Sequence, residues 1–512
     1  MKKNFNPINL IYYDKKIFYL FLIFFISRIF YYKFFNIEFD GWTIITYWQF
    51  FPKDLLQTEL IESILYNHYQ PPFLNLLVGS LMKLTEKYIL ILNFLYLFFG
   101  LSSFILIYLI CNKLRFSKNS SFLISVILMI LPTTILYENH LYKEYLTFFF
   151  LVWLFYFTLK IQEEANSLKN VLNIALSLSL LCITRETFHI FWGYILILFI
   201  QKNFSFSKKI ILVTIFTIIV LPFYLKNLIL FNKFAINAGS TFEHLSQKID
   251  YVKEMEDPKR HEKIRQLIIG TYNDYQNFKK KTSMLYDVPI NSNAESYKEL
   301  LNYKYKFNNK LLHTNTMYNE VWFEVNELRK KDYFLILKEY PSLLILNYLN
   351  STFRHLFFSS DYFNFTKHNA DKMKLMIKIS DCIKLTPICV YDYGFNWNTG
   401  YIDGTAYETM NTGPLNYKEK IIYSLQYTNF LLVIIYLSLL IFLFKGLFSK
   451  KSGYEKMINF WLFTFIFIFA SFVIFEDGEI CRHRFPFDYL CFLIFLKNIK
   501  SKFLMNKLKE TV

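Results

Sequence analysis

The stretch that decides the fold is Lys15–Trp42, KKIFYLFLIFFISRIFYYKFFNIEFDGW. An apolar run from Ile17 to Phe35, carrying only Arg28 and Lys33 near its far end, gives way to Glu38-Phe39-Asp40-Gly41-Trp42. Roughly 17–25 such residues cross a bilayer as a helix, so the run predicts a membrane span. Lys2, Lys3, Lys15 and Lys16 precede it and place its start in the cytoplasm. No small-residue cleavage site follows, so this reads as an uncleaved first helix and not a signal peptide. Asp40 then emerges on the non-cytoplasmic side.

Outward from this helix, further apolar runs fall near 89–112, 121–137, 146–159, 171–184, 188–201, 210–231, 427–446, 457–475 and 485–496. Lys113, Arg115 and Lys118, then Lys160 and Lys169, then Lys202, Lys208 and Lys209 occupy alternate gaps between them. Lys445, Lys450, Lys451 and Lys456, and the lysines from Lys497 to Lys509, continue the pattern. The opposite short loops carry only Lys143, Arg185, Arg482 and Arg484, which predicts both termini inside. Phe73–Leu84 is too short to cross and reads as interfacial or re-entrant. The expected fold is an all-α polytopic membrane protein of about ten spans, ten to twelve. It divides into a membrane module at 1–231 with a first external loop at 36–88, an external block at 232–425, and the last membrane helices at 426–512.

Composition agrees. With 54% hydrophobic and 19% charged residues, a string of soluble domains is excluded, and 13 Gly and 12 Pro are too few for collagen-like or disordered chains. The net charge of +17 sits at the ends of apolar runs, where it sets topology, so no nucleic-acid partner is expected. The 59 Phe and 39 Tyr accompany many Ile, Lys and Asn, a coding bias that says nothing of sugar stacking. In the external block, Glu320–Glu339 reads as a helix before Pro341, and Leu343–Phe358 is apolar enough to dip into the bilayer, with a partner near 374–390. Of six cysteines, Cys111, Cys182 and Cys491 lie in or near membrane runs as inert thiols, while Cys382 and Cys389 could pair outside.

Ionisable residues beside membrane runs are expensive to keep there, and each is a functional candidate. They collect on one side. Asp40 follows the first helix, and His68 and Gln70 precede Pro71-Pro72. Glu138, His140, Lys143 and Glu144 follow the third run, Arg185 and Glu186 the fifth, and Arg482, His483 and Arg484 precede the last. Cations that hold a departing phosphate and a carboxylate that takes a hydroxyl proton are what transfer from a lipid phosphate requires. Plainer readings exist for each: a turn or helix cap at Asp40-Gly41, an interfacial pair of Lys143 with Glu138 or Glu144, mutual neutralisation of Arg185 and Glu186, headgroup anchoring by Arg482 and Arg484. His68 and His140 read as hydrogen-bonding residues more readily than as metal ligands, because no HxxxH or HExxH spacing accompanies them.

Phe39-Asp40-Gly41, followed by Glu62-Ser63-Ile64-Leu65-Tyr66-Asn67-His68-Tyr69-Gln70-Pro71-Pro72-Phe73-Leu74-Asn75-Leu76-Leu77, resembles the first external loop of GT-C membrane glycosyltransferases. The protein O-mannosyltransferase and lipid A aminoarabinose transferase branch, glycosyltransferase family 39, is nearest in style. The likeness extends through Glu138–Glu144, Leu181–Arg185 and Glu479–Pro486, and leaves 232–425 uncovered. It implies a GT-C helical bundle that moves a sugar from a polyprenyl-phosphate donor to a hydroxyl of a glycan, lipid or protein acceptor. Asp40 would be the catalytic acid residue that activates the acceptor, and Glu138 or Glu144 a second acidic site. Arg185, Lys143, Arg482 and Arg484 would hold the donor phosphate, with His68, Gln70 and His140 as substrate contacts. The family's Asp-Glu pair is here Asp40-Gly41, and the basic residue before proline is here Gln70. Some branches use a divalent metal, Mg or Mn, and others none. The implied setting is the cell envelope, at a bacterial inner membrane. Two other readings stand beside this one: an O-antigen polymerase or ligase using a diphosphate-linked glycan, and a transporter or flippase of lipid-linked intermediates.

Overall fold

The structure, a computed structural model, describes residues 14–41, 53–68, 70–164, 167–200, 204–237, 372–385, 429–447, 453–475 and 480–510, with positions 44, 50, 51, 338, 341, 352, 369 and 370 besides. Their regular structure is helical, and no strand occurs among them. The helices are α1 (Lys15–Phe34), α2 (Lys53–Thr58), α3 (Leu60–Tyr66), α4 (Pro72–Leu84), α5 (Tyr88–Lys113), α6 (Lys118–Ile130), α7 (Pro132–Glu138) and α8 (Lys143–Lys160). They continue as α9 (Leu168–Thr184), α10 (Ile190–Ile200), α11 (Phe206–Phe231), α12 (Lys374–Ile383), α13 (Phe430–Leu447), α14 (Gly453–Phe475) and α15 (Ile480–Glu510).

By length and composition α1, α5 and α11 can each cross a membrane, and α6 with α7 makes a fourth crossing if the bent pair is one span. The expected apolar runs recur as helices, most with ends shifted by a few residues, but 121–137 is divided between α6 and α7 and 485–496 lies within the 31-residue α15. The short run after Pro72 is the 13-residue α4, about 20 Å long and less than a hydrocarbon core. α8 occupies the centre, packed against α5, α9 and α15. Its residues from Lys143 to Leu159 are nearly all buried, which is why its sequence is apolar on every face.

The two ends of the bundle differ in charge. Asp14 caps the start of α1 by accepting from the Lys16 N–H at 3.0 Å, receives the Tyr108 hydroxyl at 2.7 Å and lies 3.8 Å from Lys118. At this same end Lys113 pairs with Glu163, Lys497 with Glu455, and Lys500 donates to the Arg115 carbonyl. α1 has 20 residues, a rise of about 30 Å. Asp40 lies beyond its opposite end.

One helix is broken at depth. Leu131 is extended (φ −60°, ψ 139°) because Pro132 disfavours the helical region before it, and the chain bends by 59°. A break frees carbonyls that lipid cannot satisfy. Here three side chains take them: the Thr134 hydroxyl donates to Leu128 O, Arg28 to Met129 O and the Tyr31 hydroxyl to Ile130 O, at 2.7, 3.1 and 2.8 Å.

Of the block 232–425, α12 is the one substantial element among the described residues. Of the expected helix at Glu320–Glu339 and the dip at Leu343–Phe358, Lys338 and Thr352 alone are described, both helical, and Cys389 lies outside the described residues. Cys382 is disulfide-bonded, and Cys111, Cys182 and Cys491 are free and buried.

Candidate functional site

At the end of the bundle opposite Asp14, the loop after α1 meets the loop after α7. The Asp40 N–H donates to Asn139 O at 2.8 Å and the Leu141 N–H to Asp40 O at 3.2 Å, a parallel bridge pairing Asp40 with His140. The pairing brings His140 Nδ1 to 3.2 Å from Asp40 Oδ2. The contact is close without being an aligned hydrogen bond. The His140 ring stacks on Tyr142 at 4.7 Å, and the Tyr96 hydroxyl holds the Tyr142 carbonyl at 2.7 Å. The other side of the strap is fixed by the Tyr32 hydroxyl, 2.9 Å from Asn139 Oδ1. Gly41 matters too: a Cβ there would lie 2.6 Å from Ile89 Cδ1, so the second acid of the GT-C Asp-Glu pair has no room unless Ile89 moves.

Three of the cations expected to hold phosphate, Lys143, Arg185 and Arg484, are in ion pairs. Lys143 Nζ donates to Gln70 Oε1 at 3.0 Å and to both Glu186 oxygens at 3.1 and 3.0 Å. Arg185 donates to Glu144 at 2.8 Å, with both side chains fully buried. Arg484 donates to Asp488 at 2.8 Å one turn along α15. The hydrogen-bonded partners are thus not the ones expected for Lys143, which bonds Glu186 and not Glu138 or Glu144, while Arg185 bonds Glu144 and still acts on Glu186 through its charge. α8, α9 and the loop after α9 bring together groups distant in sequence. Headgroup anchoring by Arg484 is wrong as well, since its side chain is buried. The Arg482 side chain lies outside the described residues.

Glu138 has a different partner, Arg28, which the sequence reading noted only as a charge towards the far end of the first apolar run. Arg28 grips it with two parallel hydrogen bonds of 2.7 Å, the Tyr145 hydroxyl adds a third at 2.7 Å, and the guanidinium lies over the Phe24 ring. Gly100 makes the room: a Cβ there would sit 2.2 Å from Glu138 Oε2. The only available signal was a guanidinium two-thirds along an apolar run. His68 is buried against Phe231, edge to face at 5.0 Å. Lys226 on α11, also unanticipated, donates to the carbonyls of Leu65 and Asn67. Asn67 in turn accepts the Gln70 N–H at 3.2 Å, so α11 holds the turn that presents Gln70 to Lys143.

Exposure separates these carboxylates. Glu138 and Glu144 are fully buried, while Asp40 keeps 21% and Glu186 28% of their side-chain surface. Burial pushes the Glu186 carboxyl up, yet the Lys143 ammonium and the Arg185 guanidinium outweigh it and hold it below its ordinary value of 4.5. Asp40 and His140 offer two ligands to a divalent ion, and no group of three or more His, Cys, Asp or Glu suited to a metal occurs among the described residues. Comparison with family models, with curated proteins and with solved structures found no match.

Proposed function

We propose that this chain is an integral-membrane glycosyltransferase of GT-C type, with about ten spans, both termini cytoplasmic and its site on the non-cytoplasmic side. The observation that carries the reading is the Asp40–His140 pair: a partly exposed carboxylate held by the backbone of a second loop, 3.2 Å from an imidazole, with Lys143, bonded to Gln70 and Glu186, three residues along the chain from that imidazole. In the proposed reaction the acceptor hydroxyl oxygen forms a bond to the sugar's anomeric carbon as the bond from that carbon to the phosphate oxygen breaks. The polyprenyl phosphate leaves with the electron pair, and the hydroxyl proton passes to Asp40. His140 keeps the carboxylate aimed. Lys143 receives the donor phosphate by exchanging Glu186, the partly exposed member of its pair, whereas Arg185 and Arg484 act from buried pairs that fix the cluster.

Replacing Asp40 with Asn keeps the shape and removes the base, a change worth about 10²–10⁴ in rate. Transfer from a polyprenyl-phosphate sugar in membrane vesicles should fall by that factor, and full activity in a folded variant would overturn the assignment. A second reading, transport of a lipid-linked intermediate, draws on the broken α6–α7 helix and the Arg28–Glu138 pair at depth. Uptake into vesicles without a covalent product would favour it.

A further inference from the structure

α12 is apolar on two opposite sides. Met373 and Ile377 are buried in a small cluster with Tyr31 and Ile37 from the end of α1 and with Ile135 and Leu136 from α7. At 3.6 residues per turn, Leu375, Ile379 and Ile383 fall on the other side. All three are exposed, as is Lys378 at the edge of their stripe. Bare apolar surface of this kind costs about 25 cal/mol per Å² in water and asks for an occupant.

Height identifies that occupant. Tyr31 belongs to the last turn of α1, where the chain leaves the hydrocarbon, and α12 packs beside it. Phe30 and Phe34, in the same last turns of α1, are exposed apolar side chains too, so bare apolar surface lies on both helices at this level. A ten-residue helix is about 15 Å long and cannot cross. A helix with apolar side chains on one face and lysine at its margin suits a position in the plane of the interface. We propose that α12 is seated in the lipid headgroup layer on the Asp40 side, with Leu375, Ile379 and Ile383 among the acyl chains and Lys378 on a lipid phosphate.

The seat has a direct mechanical connection to the site. Asn369 binds Glu38 from both sides, accepting its N–H at 3.2 Å and donating to its carbonyl at 2.7 Å, and Lys372 donates to Asn36 O at 2.7 Å. A lipid-seated α12 thereby sets the height of the segment that ends in Asp40. Only this last consequence rests on the transferase reading.

The test uses the full chain in phosphatidylcholine–phosphatidylglycerol vesicles, with Ile379→Cys, Leu375→Cys and Lys378→Cys each carrying a nitroxide and the parent chain labelled in parallel as background. The measurement is collision with oxygen, which partitions into acyl chains, against collision with a water-soluble nickel chelate. Labels at 379 and 375 are expected to show a higher oxygen-to-nickel ratio than the label at 378. A ratio at 379 and 375 equal to that at 378 would put the stripe in water and overturn the proposal. Shielding from both probes would overturn it also, because protein would then be the occupant. Either of the two apolar positions suffices should one variant fail to fold. Transfer activity is not part of the readout, so this proposal and the Asp40 assignment can fail independently.

Discussion

A guanidinium in the first apolar helix is costly unless something answers it, and Glu138 answers Arg28 on both oxygens. Removing one partner of such a buried pair strands the other charge, at about 3–5 kcal/mol. Arg28→Met should therefore lower thermal stability sharply in detergent, and Arg28→Met with Glu138→Gln should recover much of the loss; equal losses in both would show that the charge pair is not what holds α1 to α7. Glu186 gives a prediction in pH. Its folded pKa lies below 4.5, so the stability from its pairing with Lys143 is fully present above 4.5 and is lost as pH falls through the lower folded value. Thermal unfolding of wild type and Glu186→Gln should differ at neutral pH and converge below that window. If Lys143 receives the donor phosphate, the same variant binds polyprenyl phosphate more tightly at neutral pH. At this scale the sequence disclosed which residues were candidates, Asp40, His140, Gln70 and Lys143 among them, but not their partners. Partner choice is a property of packing: Lys143 and Glu186 are 43 positions apart, and Arg28 and Glu138 are 110 apart.

Elements were legible where apolar period and length speak, as in α1, α5 and α11, and less so where a helix is interrupted. The run at 121–137 reads as one span, although Pro132 marks the break that separates α6 from α7. Predicting that the chain would tolerate the break required knowing that Arg28, Tyr31 and Thr134 stand ready to take its carbonyls. The α3 end shows a similar dependence between elements. Lys226 donates to the Leu65 and Asn67 carbonyls at the end of α3, groups that a helix terminus leaves without an internal partner. Lys226→Met should raise amide hydrogen exchange across residues 60–71 while leaving α8 and α9 protected. Unchanged exchange there would mean that the His68–Phe231 contact alone holds the turn.

For the whole molecule, the bias of basic residues between alternate loops corresponds to one physical end of the bundle, where Lys113, Lys118, Lys497 and Lys500 gather around Asp14 and its neighbours. That end should face the cytoplasm. With native cysteines blocked beforehand, an impermeant thiol reagent added to intact cells should label Glu38→Cys and spare Lys118→Cys; the reverse pattern would invert the topology and move the Asp40 site to the cytoplasm. The external block stayed illegible because its sequence shows neither repeat nor alternation, and α12 emerges from it only as a partner of α1 and α7. The bond between Arg28 and Glu138 also has a bearing on biosynthesis. The first helix leaves the ribosome well before its counter-ion exists, so an unanswered arginine waits while more than a hundred further residues are made. The penalty of about 2.5–3.5 kcal/mol for such a residue at a helix centre gives the nascent segment reason to linger at the insertion machinery until the third apolar run arrives to release it.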